Sequence, residues 1–231
     1  MTTSVLALSG IGLLLGFRHA FEPDHLAAVS TLATRQGSLG AACRLGVAWA
    51  AGHTASVGAV VSVIMIGGLH LPVRFSPAAD LLVAVLLVGL GASVLLRYAR
   101  GRWHKHAHTH DGAPHLHLHS HAHGEAHAHA HRRADAGRSL GFGVLHGLAG
   151  SAAILLLLVA AAPTRSAQLA YFLAFGAGTM VGMLLVSLSL AGIVRLASRR
   201  GATWATVLHL GSAVTSVAVG LILAGRVTGE F

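Results

Sequence analysis

A short polar run from His19 to His25 interrupts the first long apolar stretch of the chain. It combines two imidazoles with the carboxylates of Glu22 and Asp24 and with the helix-breaking Pro23. Charged side chains at the depth of lipid tails are costly, so they usually line a pathway or a buried site. Imidazole and carboxylate together suit divalent transition metals such as Ni²⁺, Co²⁺ and Zn²⁺, whereas an all-oxygen set would suit Mg²⁺ or Ca²⁺. The run therefore predicts a passage for a transition metal through a membrane.

The composition indicates an integral membrane protein. Hydrophobic residues make up 54% of the 231 residues, only 10% are charged, and the mean hydropathy is +0.70. This length favours one membrane domain. The start, from Met1 to Ser4, has no basic region, and no small-residue cleavage pattern follows it, so we expect a retained first helix. Cys43 is the only cysteine, which excludes an internal disulfide and a cysteine-cluster metal site.

Six apolar segments have about the 20 residues that a membrane-spanning helix needs. The first is too long for one straight crossing. Because Pro23 removes the amide that would bond to the carbonyl of His19, a break beside the polar run is predicted. The segments run from Ser4 to Thr34, Leu45 to Leu69, Leu81 to Leu96, Leu140 to Ala162, Leu169 to Ala197 and Thr203 to Ala224.

The basic residues between these segments predict an orientation in the membrane, which explains the formal charge of +9 better than nucleic-acid binding does. Twelve lie on one side, three (Arg74, Arg165 and Arg226) lie on the other, and Arg18 lies within the first segment. Because positive residues stay inside, we expect a multi-pass protein of the cell (cytoplasmic) membrane with both termini outside. The twelve are Arg35, Arg44, Arg97, Arg100, Arg102, Lys105, Arg132, Arg133, Arg138, Arg195, Arg199 and Arg200.

The loop between the third and fourth segments has twelve histidines between His104 and His131, many alternating with one small residue. Such a low-complexity tract is expected to be disordered, and histidine-rich tracts commonly bind metal at several equivalent sites. The alternative is a solvated, pH-sensitive linker. We favour a cytoplasmic chelator that buffers or senses metal, and we place it at residues 104–138, between membrane domains at 1–103 and 139–231.

The two halves around this loop show weak internal similarity. Gly16 to Phe21 resembles Gly143 to Leu148, with His19 matching His146, and Val88-Gly89-Leu90 resembles Val219-Gly220-Leu221. Three helices per half would make the second copy inverted, a recurrent transporter plan in which a broken helix holds a midplane site. Chance similarity between Gly/Ala/Leu-rich helices is the alternative. The predicted fold is an all-α membrane protein of six transmembrane helices in two inverted three-helix repeats.

The polar run resembles the hallmark of the nickel/cobalt transporter family, H-x4-D-H in an early helix. Here the motif reads from His19 to His25, with Gly16-Phe17-Arg18 before it and Leu26 to Val29 after it, and Ala50 to Thr54 is similar to a second family stretch. Many members of that family have eight helices and an acidic motif in the second half. This chain has six predicted helices and Leu145 to Ser151 there, which is closer to short urease-accessory-like membrane relatives.

The resemblance implies that His19, Asp24 and His25 recognise the metal, with His53 as a helper. His146 joins these candidate ligands because it matches His19 in the repeat. On a continuous helix, residues six apart lie roughly 120° and 9 Å apart, so His19 and His25 could share an ion only across a break. As secondary residues we expect Glu22, and Arg18 as its partner one helical turn away.

The predicted function is uptake of Ni²⁺ or Co²⁺, the transported metal being the substrate and no cofactor being required. Efflux of the same metals is an alternative, because the histidine-rich loop is similar to that of the efflux branch. A membrane accessory protein that delivers nickel to a metalloenzyme assembly pathway is another. An enzyme is not expected, since the chain has no H-E-x-x-H run and no nucleotide-binding motif. The expected partners are the metal ion, the lipid bilayer, and nickel-enzyme maturation proteins or further copies of the chain, but no nucleic acid.

Overall fold

The fold is described from a computed structural model, which covers residues 2–33, 38–67, 75–100, 104–110, 113–119, 131–148 and 164–229. Seven α-helices and one β-hairpin lie within these residues. In chain order they are α1 (Thr2–His19), α2 (Pro23–Ala33), α3 (Leu39–Gly67), α4 (Phe75–Ala99), β1 (His104–His110), β2 (Ala113–His119), α5 (His131–Gly147), α6 (Arg165–Arg200) and α7 (Ala202–Thr228).

The helices are those of a multi-pass, all-α membrane protein. By length and composition, α3, α4, α6 and α7 could each cross a membrane, and α1 with α2 could form one further crossing that bends by 55°. Large apolar side chains such as Leu6, Ile66 and Val85 are exposed on the outside of the bundle, where lipid tails would contact them. The fourth predicted crossing begins in α5 and continues into residues 149–163, which lie outside the described residues.

The break between α1 and α2 follows from the local sequence. Pro23 is the first residue of α2, where a missing backbone amide costs no helical hydrogen bond. The amide of Glu22 donates to the carbonyl of His19 at 3.0 Å, and the amide of Leu26 donates to the carbonyl of Glu22 at 3.0 Å. A tight turn thus joins the two helices at the position where the sequence predicted a break.

Glycines allow three pairs of helices to pack backbone against backbone. Helix α1 lies along α6, α3 lies along α5, and α4 lies along α7. A Cβ atom at Gly16 would collide with the carbonyl of Phe175, and one at Gly143 would collide with the carbonyl of Trp49. Such close approach is the usual reason for small residues between membrane helices. This close packing at glycines determines which residues of neighbouring helices contact each other.

The largest apolar core lies where α2, α3, α4 and α6 meet. Its buried residues include Val29, Trp49, Leu87 and Met183. Buried hydroxyl groups bond across to backbone carbonyls of neighbouring helices, as Ser139 does to Leu45 at 2.8 Å. These contacts hold the inner parts of the helices at defined positions around the polar run.

The histidine-rich tract differs from the disordered segment that the sequence analysis predicted at residues 104–138. Strands β1 and β2 pair antiparallel, with His104 opposite His119 and His108 opposite His115. Alternation of histidine with small residues matches the two-residue period of a strand, which composition alone did not reveal. Helix α5 begins at His131, inside the predicted loop, and residues 120–130 lie outside the described residues.

Candidate metal centre

Four histidines from four helices meet beside the break. His19 ends α1, His25 lies in the first turn of α2, His53 lies within α3, and His146 lies in the last turn of α5. None is more than 5% exposed. The ring centroids of His25 lie 4.4 Å from those of His19, 5.3 Å from His53 and 4.2 Å from His146. His25 is therefore the centre of the group.

The break is what allows His19 and His25 to meet. On a continuous helix they would lie about 9 Å apart along the axis and on different faces. The turn at residues 20–22 and the bend of 55° bring their rings within 4.4 Å of each other. The interrupted helix thus serves the site directly.

Two carboxylates bind to these histidines. Asp24 contacts the Nδ1 atom of His25 through Oδ1 at 3.3 Å and the Nε2 atom of His146 through Oδ2 at 2.8 Å. Glu22 contacts the Nδ1 atom of His19 through Oε2 at 3.0 Å. The side chain of Asp24 is 21% exposed and that of Glu22 is 42% exposed, whereas the imidazoles are buried. The carboxylates therefore form the edge of the site.

Several ring nitrogens of the cluster do not contact a carboxylate. The Nε2 atoms of His19 and His53 lie 3.2 Å apart. Among the described residues, the Nε2 atom of His25 and the Nδ1 atom of His53 are buried without a hydrogen-bond partner. A buried polar atom left unpaired is destabilising, and such atoms are rare in native structures. Bound metal would give these lone pairs a partner, because neutral imidazole is a common ligand of transition metals.

Two overlapping sets of three residues could hold a metal ion. One contains His19, His25 and His53, and the other contains Asp24, His25 and His146. Within each set, the candidate ligand atoms lie within 4.8 Å of one another. His25 belongs to both sets, so the two positions are adjacent.

All five residues predicted from the sequence as metal ligands lie in this cluster: His19, Asp24, His25, His53 and His146. The two secondary residues behave differently. Glu22 contacts the cluster through His19, but Arg18 and Glu22, both among the described residues, form no ion pair. The expected pairing of these two side chains is wrong because α1 ends at His19, so they do not lie one turn apart on a continuous helix.

Two aromatic residues that the sequence analysis did not single out also contact the cluster. The ring of Trp49 lies 5.4 Å from that of His146, and the ring of Phe175 lies 5.5 Å from that of His19. Both occur in long apolar helices, where an aromatic residue has no distinguishing pattern. Only the packing of α3 on α5 and of α1 on α6 reveals their position.

The fold and the cluster together define a multi-pass helical membrane protein with a buried histidine and carboxylate site suited to a transition-metal ion. The chain is 34% identical over 180 residues to the urease accessory protein UreH of Bacillus sp. (strain TB-90), and the match spans 78% of this chain and 74% of that protein. It belongs to the family of this urease accessory protein. No family model and no solved structure matches the chain.

Proposed function

We propose that this protein takes up Ni²⁺, with Co²⁺ as the related substrate, across the cell membrane through the histidine cluster. The observation that carries the proposal is the meeting of four buried imidazoles and a carboxylate at the break of a membrane-spanning segment. Secondary transporters commonly place their substrate site at such a broken helix near the bilayer midplane. Imidazole nitrogen is a suitable ligand for nickel.

The contacts of the carboxylates indicate how the site would bind the ion. Glu22 holds the Nδ1 atom of His19, and Asp24 holds the Nδ1 atom of His25. A carboxylate at one ring nitrogen fixes the tautomer and raises the basicity of the other nitrogen towards metal. The Nε2 atoms of both histidines are then available, together with His53. The two carboxylates also offset the charge of a divalent ion in an apolar interior.

The overlap of the two ligand sets suggests a stepwise movement. An ion held by His19, His25 and His53 could pass to Asp24 and His146 while it stays bound to His25. Such an exchange avoids a fully desolvated, unliganded ion, which would be very costly at this depth. Conduction generally requires that an ion binds tightly enough to enter the pathway and weakly enough, or at enough adjacent sites, to leave it.

Contacts between helices support the inverted repeat. Gly16 of α1 packs on the carbonyl of Phe175 in α6, and Gly143 of α5 packs in the same way on the carbonyl of Trp49 in α3. The matched residues lie 127 apart in α1 and α5 and 126 apart in α3 and α6. His19 and His146 have the same 127-residue separation. The same kind of contact at nearly the same separation in both halves favours a repeat over chance similarity of glycine-rich helices.

The pairing of α4 with α7 supports the same symmetry. Gly91 packs on the carbonyl of Ala213, and Gly220 packs on the carbonyl of Ala84. The two helices exchange equivalent contacts in opposite directions, as elements beside a twofold axis must. These contacts favour matching Gly220 with Gly91 instead of Gly89, because a Cβ atom at Gly89 would meet nothing within 4 Å. We therefore propose a match in this helix that is shifted by two residues from the one suggested by the sequence.

The direction of transport follows from the proposed orientation and the membrane potential. The basic residues support placing the histidine-rich loop in the cytoplasm and both termini outside. Entry of a divalent cation into a negative interior gains about 4.6 kcal/mol per 100 mV, twice the value for one charge. Uptake is therefore feasible without ATP hydrolysis, whereas efflux would need a counter-ion.

The second candidate is an accessory role in nickel-enzyme assembly, favoured by the name of the relative. A urease accessory protein in the membrane would supply nickel to the maturation proteins of that enzyme. Uptake and supply are compatible if the hairpin of β1 and β2 receives the ion after it crosses. The two candidate functions differ in whether this chain alone moves the metal across the membrane.

Proteoliposomes that contain only this protein test the proposal. We expect radioactive Ni²⁺ to accumulate inside when the interior is negative, and alanine at His19, Asp24 or His25 to abolish accumulation. His209→Ala is the matched control, because His209 is a buried histidine of α7 outside both ligand sets. Metal binding to the protein without accumulation in the vesicles would instead support the accessory role. Normal transport by all three alanine variants would show that the site is elsewhere.

A further inference from the structure

Trp49 and Phe175 occupy equivalent places on opposite sides of the cluster. Trp49 packs against His146, and Phe175 packs against His19, at ring distances of 5.4 and 5.5 Å. Trp49 is 2% exposed and Phe175 is 7% exposed. In the proposed repeat each aromatic residue is the counterpart of the other, and so is each histidine. In an inverted repeat, two such counterparts would lie towards opposite ends of the bundle.

Trp49 lies one turn before His53 in α3, on the side of the cluster that faces the end of the bundle at which α3 begins and α4 finishes. A cavity of about 370 Å³ at this end is lined in part by Arg97, Asp135 and Arg138. Leu32 and Leu45 line both this cavity and a small one of about 10 Å³.

Trp49 lines the small cavity. This cavity has room for about one water molecule. Ser187, which also lines it, has a buried hydroxyl without a hydrogen-bond partner among the described residues. The two cavities thus lie between this end of the bundle and the cluster, and Trp49, whose ring also stacks on that of Phe142 at 6.3 Å, bounds the small one.

Phe175 lies towards the other end, in an apolar cluster with Val57, Val61 and Tyr171. Helix α6 begins at this end with Arg165, and Phe175 lies one turn before Thr179. Leu8 and Leu15 of α1 pack against the same cluster. Apolar side chains thus cover His19 from this side, as Trp49 covers His146 from the other.

We infer that Trp49 and Phe175 are the two gates of the metal site, Trp49 closing it towards the end with the cavities and Phe175 towards the opposite end. Each gate is a single aromatic ring that packs on a ligand histidine. A movement that releases one ring opens the site to one side while the other ring keeps it closed. This inference rests on the proposed transport function and adds the residues that control access.

A buried cysteine reporter tests the gates. Ser56→Cys is a near-isosteric change one turn after His53, and the hydroxyl of Ser56 donates to the carbonyl of His53 at 3.0 Å. It is placed in a Cys43→Ser background and treated in sealed vesicles with a small thiol reagent that cannot cross membranes. Single cysteines at Arg200 and Thr228, exposed near opposite ends of the bundle, calibrate the two membrane faces independently.

With both gates intact, we expect slow labelling from either face. Trp49→Ala should accelerate labelling at least about tenfold from the face marked by Arg200, and Phe175→Ala should do so from the face marked by Thr228, since a closed site is open only about 0.1–10% of the time. Trp49→Phe should restore slow labelling. Phe172→Ala is the control, because Phe172 packs in the same cluster as Phe175 without contacting a histidine ring of the site.

Trp49→Leu and Phe175→Leu replace the alanine variants if those do not give folded protein, and the same direction is expected. Faster labelling of both variants from one face, or of neither in folded protein, would overturn the inference. Labelling of the reporter does not require transport. If each variant were labelled faster from its expected face but the protein accumulated no Ni²⁺, the two gates would be supported and the proposed substrate would be rejected. If Ni²⁺ alone slowed the labelling of the reporter in these variants, the gates and the metal site would be shown to belong to one pathway.

Discussion

Replacing Asp24 by asparagine tests whether the carboxylate organises the histidine site. Asp24→Asn preserves the size of the side chain but removes its charge. Asp24 contacts His25 at 3.3 Å and His146 at 2.8 Å, so both imidazoles lose their anionic partner. Only the carbonyl oxygen of asparagine can accept a hydrogen bond from an imidazole N–H, because its NH₂ group only donates. The preferred tautomer of at least one histidine should therefore be lost.

The contacts allow an estimate of the effect. Loss of a side chain that orients metal ligands typically weakens metal affinity by about 10- to 100-fold, or roughly 1.4 to 2.7 kcal/mol. Because Asp24 contacts two histidines, we expect Asp24→Asn to raise the KM for Ni²⁺ by about 100-fold. Glu22 contacts only His19 and is 42% exposed, so Glu22→Gln should raise KM by about tenfold.

Initial rates of Ni²⁺ uptake into proteoliposomes, measured over a range of metal concentrations, would give both values. Asp80→Asn is the control, since Asp80 lies in α4, outside both ligand sets and outside the lining of both cavities. It should leave KM unchanged. A larger effect of Glu22→Gln than of Asp24→Asn would refute the assigned roles, as would an unchanged KM in both.

Three other expectations concern the loop and the packing. Deleting residues 104–131, whose imidazoles are mostly neutral at neutral pH and protonated at about pH 5, should lower the metal bound per protein, measured by equilibrium dialysis, far more than it lowers the transport rate. Loss of all transport in protein that is inserted in the membrane would place the tract in the pathway. Cysteines at Leu87 and Ser216, where the hydroxyl of Ser216 donates to the carbonyl of Leu87 at 2.9 Å, should be joined by short bifunctional reagents, and failure of this reaction would contradict the pairing of α4 with α7. Gly143→Ala should lower the free energy of unfolding in detergent by about 1–3 kcal/mol, because the added Cβ atom would collide with α3. Gly141→Ala should not lower it, because a Cβ atom at that position meets nothing within 4 Å. Equal effects of the two substitutions would show that close packing is not the cause.

Much of the metal centre could be predicted because its residues differ in kind from their surroundings. His19, Asp24 and His25 are conspicuous in an apolar segment, and Pro23 marks the break that brings them together. His146 was found through its match with His19, without any knowledge of the distance between α1 and α5. Local sequence carries these features because charge and proline act at the position where they occur.

The rest depends on how helices pack, which composition does not encode. Trp49 and Phe175 look like ordinary core residues until α3 meets α5 and α1 meets α6. Gly147, which follows His146, looks like any other helix glycine in the sequence, but a Cβ atom there would lie 2.5 Å from the carbonyl oxygen of His53. Gly89 and Gly91 likewise look equivalent in the sequence. Only the contacts of α4 with α7 distinguish them.

The glycine contacts have a mechanical consequence. Direct backbone packing joins α1 closely to α6 and α3 closely to α5, and the ligands are divided between these two helix pairs. His19 belongs to the first pair and His53 to the second, with their Nε2 atoms 3.2 Å apart. An ion bound by both would link the two pairs through its ligands. A movement of one pair against the other would change the distance between those ligands, so the affinity for the ion and the relative position of the helix pairs would depend on each other.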